Sequence, residues 1–435
     1  MAESESDHPR RAGSESACLL EVPAGPEREA GVNGPPRMPV DLTDPRTFAG
    51  DGMRPVWRAL RDAAPVHWHP EGPDRPGFWV VVTHAEGTEV CSAPDRFTSC
   101  GGNVLATLLK GGDSASGRMA GVSDGPRHRE IRHLLRTVLA PNALAPVLAG
   151  VRERTRSLLA RAVAQGEFDF MADVADHVPI ATVCELMGVP ESDRPALLAW
   201  SKMALSSDTD ETTEWDAMVA RSEILAYFHT LARRRRSDGG DDLVSALGAA
   251  TPPGGPLTAE EIAANCYSVL IGGDESSRMV AGGAVQGLIE HPAQWRALRA
   301  GTVSPDHAVE EVLRWTAPAM HLGRHAVSDT LLGGVRIQAG DIVTVWISSA
   351  NFDERAFADP SAFDLARWPN RHLSLGRGPH FCVGAHLGRA ALRILLTLLR
   401  DSAVRFEPTG PGNRVFSNFL SGYSSLPVRA VRSHT

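Results

Sequence analysis

The sequence predicts a mainly α-helical fold with small β-sheets, and three features of the chain lead to this prediction. Apolar residues recur at helical spacing after Cys382, which indicates a buried helix there. A second helical pattern runs from residue 258 to residue 290 and opens on a threonine followed three residues later by a glutamate, an arrangement that caps helices. Residues 65–69 and 77–82 are short runs rich in valine and tryptophan around a turn-rich segment, and they predict two strands.

Length and charge allow a large folded unit and exclude one class of partner. The chain has 435 residues, of which 43% are hydrophobic, so it can bury a sizeable core. Length alone favours two domains. The formal net charge is −8, so the composition indicates no nucleic-acid partner.

Targeting signals and cysteine spacing point to one compartment. No stretch approaches the roughly 18–20 apolar residues of a membrane span, so we expect no membrane anchor. We recognise no signal peptide, and the cysteines show neither paired nor zinc-like spacing, which is typical of a reducing compartment. We therefore expect a cytoplasmic protein. Residues 1–38 lack periodicity and are rich in charged and small residues, which predicts a disordered tail.

The stretch from His372 to Arg389 carries the strongest chemical signal. Cys382 lies between glycines, with Gly376 on one side and Gly384 on the other. Glycines let backbone amides approach a sulfur, and the positive end of a helix dipole favours a thiolate at a helix start. A sulfur held in this way is a strong ligand for a soft or borderline metal, above all a haem iron. The alternative is a structural cysteine buried where a helix begins.

Polar and basic side chains accompany this cysteine and an earlier helix. His380, two residues before Cys382, is a group that could meet haem carboxylates. Pro126 opens a helix on which His128 and Arg132 are four residues apart, so both lie on one face. Without further context, this face is either a binding face or a basic solvated surface.

Two glycines lie in the middle of the long predicted helix. Gly272 and Gly273 each cost about 1 kcal/mol relative to alanine at such positions. A helix that carries them there indicates the close approach of a flat group or a local opening. Asp274, Glu275 and Ser276 follow directly. The alternative is a glycine pair used for helix packing, with exposed acids beside it.

The stretch around Cys382 resembles the haem-binding signature of the cytochrome P-450 family, F-G-x-G-x-[RH]-x-C-x-G. The matching positions are Gly376, Gly378, His380, Cys382 and Gly384. Leu375 departs from the pattern because it stands where the family has phenylalanine. Leucine is also apolar, so we expect haem binding to survive with a changed sulfur environment and redox potential.

Further motifs resemble the family in the right order, and the resemblance covers about residues 40–432. His128 and Arg132 match the H-x-x-x-R pair that holds a haem propionate, and Arg324 matches a second propionate arginine. Glu275 and Ser276 take the acid and alcohol positions of [AG]-G-x-[DE]-T, which implies catalytic roles in proton delivery. The alcohol is normally threonine, and serine lacks the methyl group that restricts its rotamer.

The resemblance also implies a structural network and a substrate pocket. Glu311 and Arg314 match E-x-x-R, which with Arg367 is expected to form a buried ion network that supports the cysteine loop. The residues expected to border the pocket are Ile271, Gly272, Met320, His321, Leu322, Phe419 and Leu420. His321 is also a candidate base or distal ligand, with a polar pocket wall as the alternative.

Membership of this family implies one mostly helical domain over residues 39–435, with haem b (iron protoporphyrin IX) between the long central helix and the cysteine loop. Cys382 is then the iron ligand. The implied activity is a haem-thiolate monooxygenase that hydroxylates a small natural-product intermediate of secondary metabolism. Electrons would come from a ferredoxin and its ferredoxin reductase. The alternatives are oxidative coupling, epoxidation or peroxide-driven chemistry, and a non-catalytic haem-binding sensor.

Overall fold

The structure is a computed structural model that describes residues 36–50, 52–205, 213–402 and 404–432. Helices dominate it, as predicted. The α-helices are α1 Met53–Ala63, α2 His84–Ser92, α3 Leu105–Leu108, α4 Gly125–Val138, α5 Ala145–Gln165, α6 His177–Leu186, α7 Arg194–Leu205, α8 Glu214–Asp238, α9 Leu243–Ala249, α10 Ala259–Glu290, α11 Pro292–Arg299, α12 Pro305–Thr316, α13 Ile347–Ala350 and α14 Ala385–Asp401.

The strands form small sheets, also as predicted. They are β1 Val66–His69, β2 Phe78–Val81, β3 Phe97–Thr98, β4 Glu167–Asp169, β5 His321–Ala326, β6 Thr330–Leu332, β7 Val335–Ile337, β8 Ile342–Trp346, β9 Val404–Pro408, β10 Asn413–Arg414, β11 Tyr423–Ser425 and β12 Pro427–Arg432. The largest sheet has the order β1-β2-β8-β5-β3 and combines parallel and antiparallel pairs. The two strands predicted near the N-terminus are confirmed as its β1–β2 hairpin.

The long central helix is confirmed as α10. Thr258 caps it, and Glu261 bonds back to the Thr258 backbone, which completes the predicted capping box. A Cβ added to Gly273 would lie 2.5 Å from the Val183 side chain. Glycine at this position therefore lets α10 approach α6 more closely than any other residue would.

Two large apolar cores meet on α10. One joins it to α5, α12 and α14, and the other joins it to α4, α6, α7, α8 and α9. Full burial of an aliphatic side chain contributes about 1.5–3 kcal/mol relative to exposure. These cores therefore hold α10 and α14 in fixed relation, and the two helices carry the two halves of the candidate site.

Three further predictions concern the N-terminal tail, membrane-spanning helices and the cysteines. The predicted disordered tail over residues 1–38 lies outside the described residues except for 36–38, where the Met38 N–H donates to the Trp68 carbonyl at 3.0 Å. Within the described part of the chain, no helix is long and apolar enough to cross a membrane. Cys100 is disulfide-bonded, which the cysteine spacing did not predict.

Candidate active site

The loop that precedes α14 turns sharply at two glycines. Gly376 and Gly378 adopt φ values of +67° and +69°, in the left-handed region that glycine favours. A Cβ on Gly378 would lie 2.5 Å from the Cys91 carbonyl oxygen, so the loop packs directly on the end of α2. The Cys382 N–H donates to the Leu375 carbonyl at 2.7 Å and closes the loop on itself. These contacts fix the backbone that presents Cys382 just before α14.

Cys382 differs in accessibility from the other free cysteines of the described residues. Its side chain is exposed, whereas the other free cysteines of the described residues are buried. Enclosure by the protein raises the pKa of the Cys382 thiol, and the Gly384 N–H with the charges of Arg132 and Arg389 offsets part of this effect. The same amide and guanidinium groups would stabilise a thiolate once a metal replaces the proton.

A polar cluster stands beside the cysteine loop. The His380 Nε2 atom lies 2.8 Å from Asp124 Oδ1, and the His380 ring stacks on His128 with 4.4 Å between centroids. The ligand-type atoms of these three residues all lie within 4.8 Å of one another. Burial, and then the charge of His380, lowers the pKa of His128 to about 4, so its ring is neutral at pH 7. The His128 Nε2 atom makes no hydrogen bond in the described part of the chain.

Two arginines approach this region from other elements. Arg132 on α4 donates to the carbonyl of Phe381, the residue before Cys382. Arg324 on β5 is buried, and its Nη1 donates to the Gly323 carbonyl at 2.7 Å. Neither arginine forms an ion pair with a carboxylate among the described residues. A guanidinium stays charged when buried, so both are available to an anionic group.

The centre of α10 opens on free space at Gly272. A Cβ added there would meet nothing within 4 Å, although the residue lies halfway along a helix whose other sides are packed. One turn later, the Ser276 hydroxyl donates to the Gly272 carbonyl at 2.6 Å. The two glycines therefore do different things, because Gly273 permits helix packing and Gly272 borders open space.

The acid beside this hydroxyl belongs to an ion network. Glu275 is buried, and Arg278 Nη2 donates to its Oε2 at 2.7 Å. Arg278 also lies 3.6 Å from Asp176, to which Lys202 donates. The network connects α10 to α7 and to the residue that precedes α6. The alternative of exposed acids on α10 is therefore wrong.

Asp274 is a second buried acid, to which the sequence assigned no role of its own. The Ser201 hydroxyl on α7 donates to its Oδ2 at 2.9 Å. Burial, and then the negative charge of Glu275, raises the pKa of Asp274 well above its usual range. The hydrogen bond between Ser201 and Asp274 joins α7 to α10.

The predicted ion network behind the cysteine loop is present. Glu311 and Arg314 are fully buried, and two hydrogen bonds of 2.8 Å join them. Arg367 donates to Glu311 at 3.1 Å, and Asn370 and the Asp364 N–H each donate at 2.9 Å. A buried carboxylate needs donors on both oxygens, and Glu311 has them.

Comparisons with known proteins agree with this geometry. A family model described as "Cytochrome P450" matches residues 305–412. Cytochrome P450 NovI of Streptomyces niveus is 42% identical over 390 residues, which cover 90% of this chain and 96% of that protein. The steroid C26-monooxygenase of Rhodococcus jostii is 30% identical and covers 89% of this chain and 84% of that enzyme.

The chain belongs to the cytochrome P450 family. Among solved structures, P450 OxyD, described as involved in the biosynthesis of vancomycin-type antibiotics, superposes with a TM-score of 0.83 and 34% identity, covering 91% of this chain and all of that one. Family membership implies a haem iron cofactor, and the chain is a P450 monooxygenase. The alternative of a non-catalytic sensor is thereby set aside.

The residues of this P450 suit a haem. A large flat group needs open space on both sides, and Gly272 and Cys382 both border such space. Its carboxylates need donors, and His128 and the arginines Arg132 and Arg324 have capacity for them. The cluster of His128 with His380 and Asp124 lies beside the same loop, so we assign it to this site and not to a separate metal ion.

Sequence reasoning also missed two residues that contact the cysteine loop of this P450. Asn351 accepts the Leu373 N–H at 2.8 Å and donates to the Arg314 carbonyl at 3.1 Å, which links the ion network to the cysteine loop. Glu310 accepts from Arg389 at 2.7 Å and lies 3.3 Å from His372. Burial raises the pKa of Glu310, but these two partners outweigh it and lower the pKa to about 2. For Glu310 the available signal was its position directly before Glu311 of the E-x-x-R motif, whereas Asn351 has no recognised motif beside it.

The residues expected to border the substrate pocket differ in accessibility. Ile271, Leu322 and Phe419 keep part of their surface accessible, and Gly272 is exposed. The remaining candidates, Met320, His321 and Leu420, are buried by protein atoms alone. Burial lowers the pKa of His321 to about 3, so this histidine is a poor candidate for a catalytic base.

Proposed function

We propose that this P450 hydroxylates a small natural-product intermediate of secondary metabolism, with O₂ and with electrons from a ferredoxin that a ferredoxin reductase reduces. One oxygen atom enters a C–H bond of the substrate, and the other leaves as water after the uptake of two electrons and two protons. The observation that carries the proposal is the buried Glu275 next to the Ser276 hydroxyl, where α10 borders open space at Gly272. The description of OxyD supports the substrate class.

We propose haem b as the cofactor and Cys382 as its iron ligand. The iron supplies the oxygen chemistry when the haem is bound. Gly376 and Gly384 shape the loop so that backbone amides approach the sulfur. The side chains that we propose to face the haem carboxylates are His128, Arg132, Arg324 and His380. The charge of the two arginines and the donor groups of all four side chains would orient the cofactor.

Labelled oxygen tests the proposed reaction. Purified enzyme, a surrogate ferredoxin and its reductase would be supplied with ¹⁸O₂ and a panel of natural-product intermediates. We expect a product that contains one labelled oxygen atom. A product that has lost two hydrogens and gained no label would instead support oxidative coupling, the alternative that serine at position 276 keeps open.

We expect the contribution of Ser276 to proton delivery to depend on how firmly the rotamer of its side chain is fixed. Its hydroxyl is engaged with the Gly272 carbonyl, and serine samples more rotamers than threonine. We expect uncoupled turnover in the native enzyme, seen as hydrogen peroxide release. Ser276→Thr should improve coupling, that is, the product formed per reduced nicotinamide consumed, and Ser276→Ala should lower coupling about ten-fold. This effect is smaller than the 10²–10⁴-fold contribution typical of side-chain proton transfer, because Glu275 remains.

The deciding quantity is product formed per reduced nicotinamide consumed, measured with a substrate from the labelled-oxygen panel. Ser222→Ala on α8 is a matched control, since its hydroxyl makes the same kind of bond to the backbone four residues earlier at 2.9 Å. If Ser276→Ala couples as well as the native enzyme, proton delivery does not use this hydroxyl.

The surface around the cysteine loop supports a ferredoxin as partner. Arg129 and Arg136 on α4 and Arg371 and Arg377 in the loop are exposed, and we call these four the basic patch. An acidic ferredoxin would be steered to this patch over a distance set by the Debye length. The formal charge of the whole chain is −8, so the patch stands out against an acidic background.

We therefore expect the rate of electron transfer to fall steeply when the salt concentration rises from about 0.05 to 0.5 M. The double variant Arg129→Glu with Arg136→Glu should be slow at low salt and less sensitive to salt. Arg161→Glu on α5, an exposed arginine outside the patch, is the control and should behave as the native enzyme. A salt profile that is flat in the native enzyme contradicts docking by charge.

A further inference from the structure

His321 lies where α3 and the turn of residues 417–420 meet the central sheet. It is the first residue of β5 and is fully buried. Its ring packs against Trp346 of β8 with 4.8 Å between centroids, and against Phe419 with 5.2 Å. Its Nε2 atom accepts the Leu105 N–H at 3.0 Å. One side chain thus contacts the sheet, the C-terminal turn and the segment that precedes α4.

The bond to Leu105 replaces a missing helix cap. Leu105 is the first residue of α3, and the first N–H groups of a helix have no partner within the helix. Val104 stands at the capping position and offers no side-chain acceptor. His321 supplies the acceptor from a strand more than 200 positions later, so α3 depends on β5 for its N-terminus.

Neighbouring contacts hold the same two segments in place. The Gly323 N–H donates to the Asn103 carbonyl at 2.8 Å, next to α3. The Met320 N–H donates to the Phe419 carbonyl, also at 2.8 Å. These backbone bonds align the segments with β5, and the His321 ring fills the space between them.

The ring must be neutral to do this. Nε2 accepts a hydrogen bond, so the proton of the neutral ring lies on Nδ1. Burial lowers the pKa of His321, which keeps this form at physiological pH, and the backbone of Asn418 is the neighbour that favours the charged form. Nδ1 makes no hydrogen bond among the described residues. The arrangement therefore leaves His321 as an acceptor and a packing group.

We propose that His321 is a positioning residue that docks α3 and the turn of residues 417–420 onto β5, and thereby sets the shape of the substrate pocket. This inference rests on the proposed function, under which Phe419 and Leu420 are expected to border the substrate pocket, and it adds α3 to the wall of that pocket. His321 acts through Leu105 and Phe419 and takes no part in proton transfer. It should affect which ligands fit and leave haem binding intact.

The test uses the haem-loaded enzyme and two iron-binding probes of different size. Imidazole is too small to reach the pocket walls, so its binding does not depend on pocket shape. Clotrimazole is large enough to contact the walls, so its binding does. His321→Phe keeps the ring and removes the acceptor, and we expect it to weaken clotrimazole binding about five-fold, the equivalent of one hydrogen bond, with unchanged imidazole binding. Hydrogen exchange should accelerate over residues 103–110 and 417–421. His321→Gln restores an acceptor and should recover the protection of residues 103–110.

His67→Phe is the matched control, since His67 on β1 is equally buried and its Nε2 bonds the Leu60 carbonyl at 3.0 Å. It should change neither probe affinity. The proposal is overturned if His321→Phe leaves clotrimazole binding and exchange unchanged, or weakens both probes equally. It is also overturned if neither variant at position 321 retains haem. Absence of thiolate-ligated haem in the native protein would instead count against the proposed function.

Discussion

Replacement of Cys382 by alanine is expected to abolish the absorption band at about 450 nm that reduced, carbon-monoxide-bound haem shows with a thiolate ligand. The side chain is exposed, and the Gly384 amide with the charges of Arg132 and Arg389 favours the thiolate form of its sulfur. Alanine offers no ligand atom, so any haem that still binds would take a weaker ligand and absorb at a shorter wavelength. Monooxygenase turnover should be lost completely.

The matched control is Cys184→Ala. Cys184 is a free cysteine, fully buried in the core around α6, and burial raises the pKa of its thiol to about 12. This variant should keep the band at about 450 nm even if its melting temperature falls. If Cys382→Ala keeps the band, another residue holds the iron and the proposed site is wrong.

Glu311→Gln should have the largest effect on stability. The substitution keeps the shape of the side chain but removes the negative charge that faces Arg314 and Arg367. Breaking a buried ion pair by removing one partner typically costs about 3–5 kcal/mol, because the remaining charge is left uncompensated. Here two guanidinium groups lose their counter-charge, and Arg314 also bonds the Asn351 carbonyl at 3.0 Å. Because Asn351 also bonds the cysteine loop, we expect the destabilisation around Arg314 to extend to that loop.

Urea unfolding of the haem-loaded protein measures this effect, together with the fraction of protein that retains haem. Glu290→Gln, at the exposed end of α10, makes the same chemical change without a buried partner and should alter stability by less than about 0.5 kcal/mol. A Glu311→Gln protein that unfolds at the native urea concentration would show that the network contributes no net stability.

Local patterns in the sequence predicted the fold class and the family because they depend on residues close together in the chain. The capping threonine of α10, the hairpin of β1 and β2, and the glycines around Cys382 all operate within a few residues. Helical spacing then placed α14 directly after the cysteine. Such signals need no knowledge of which distant segments pack together.

Tertiary structure alone decided which groups are buried and which partners they have. The pKa of Asp274 is raised because the surrounding core excludes water from it and Glu275 adds negative charge, whereas the hydroxyl of Ser201, 73 positions earlier, lowers it. Gly272 and Gly273 are adjacent and identical in sequence, yet one borders open space and the other contacts Val183. His321 caps a helix 216 positions away. Burial and hydrogen bonding depend on contacts between segments far apart in the chain, and no local pattern encodes which segments meet.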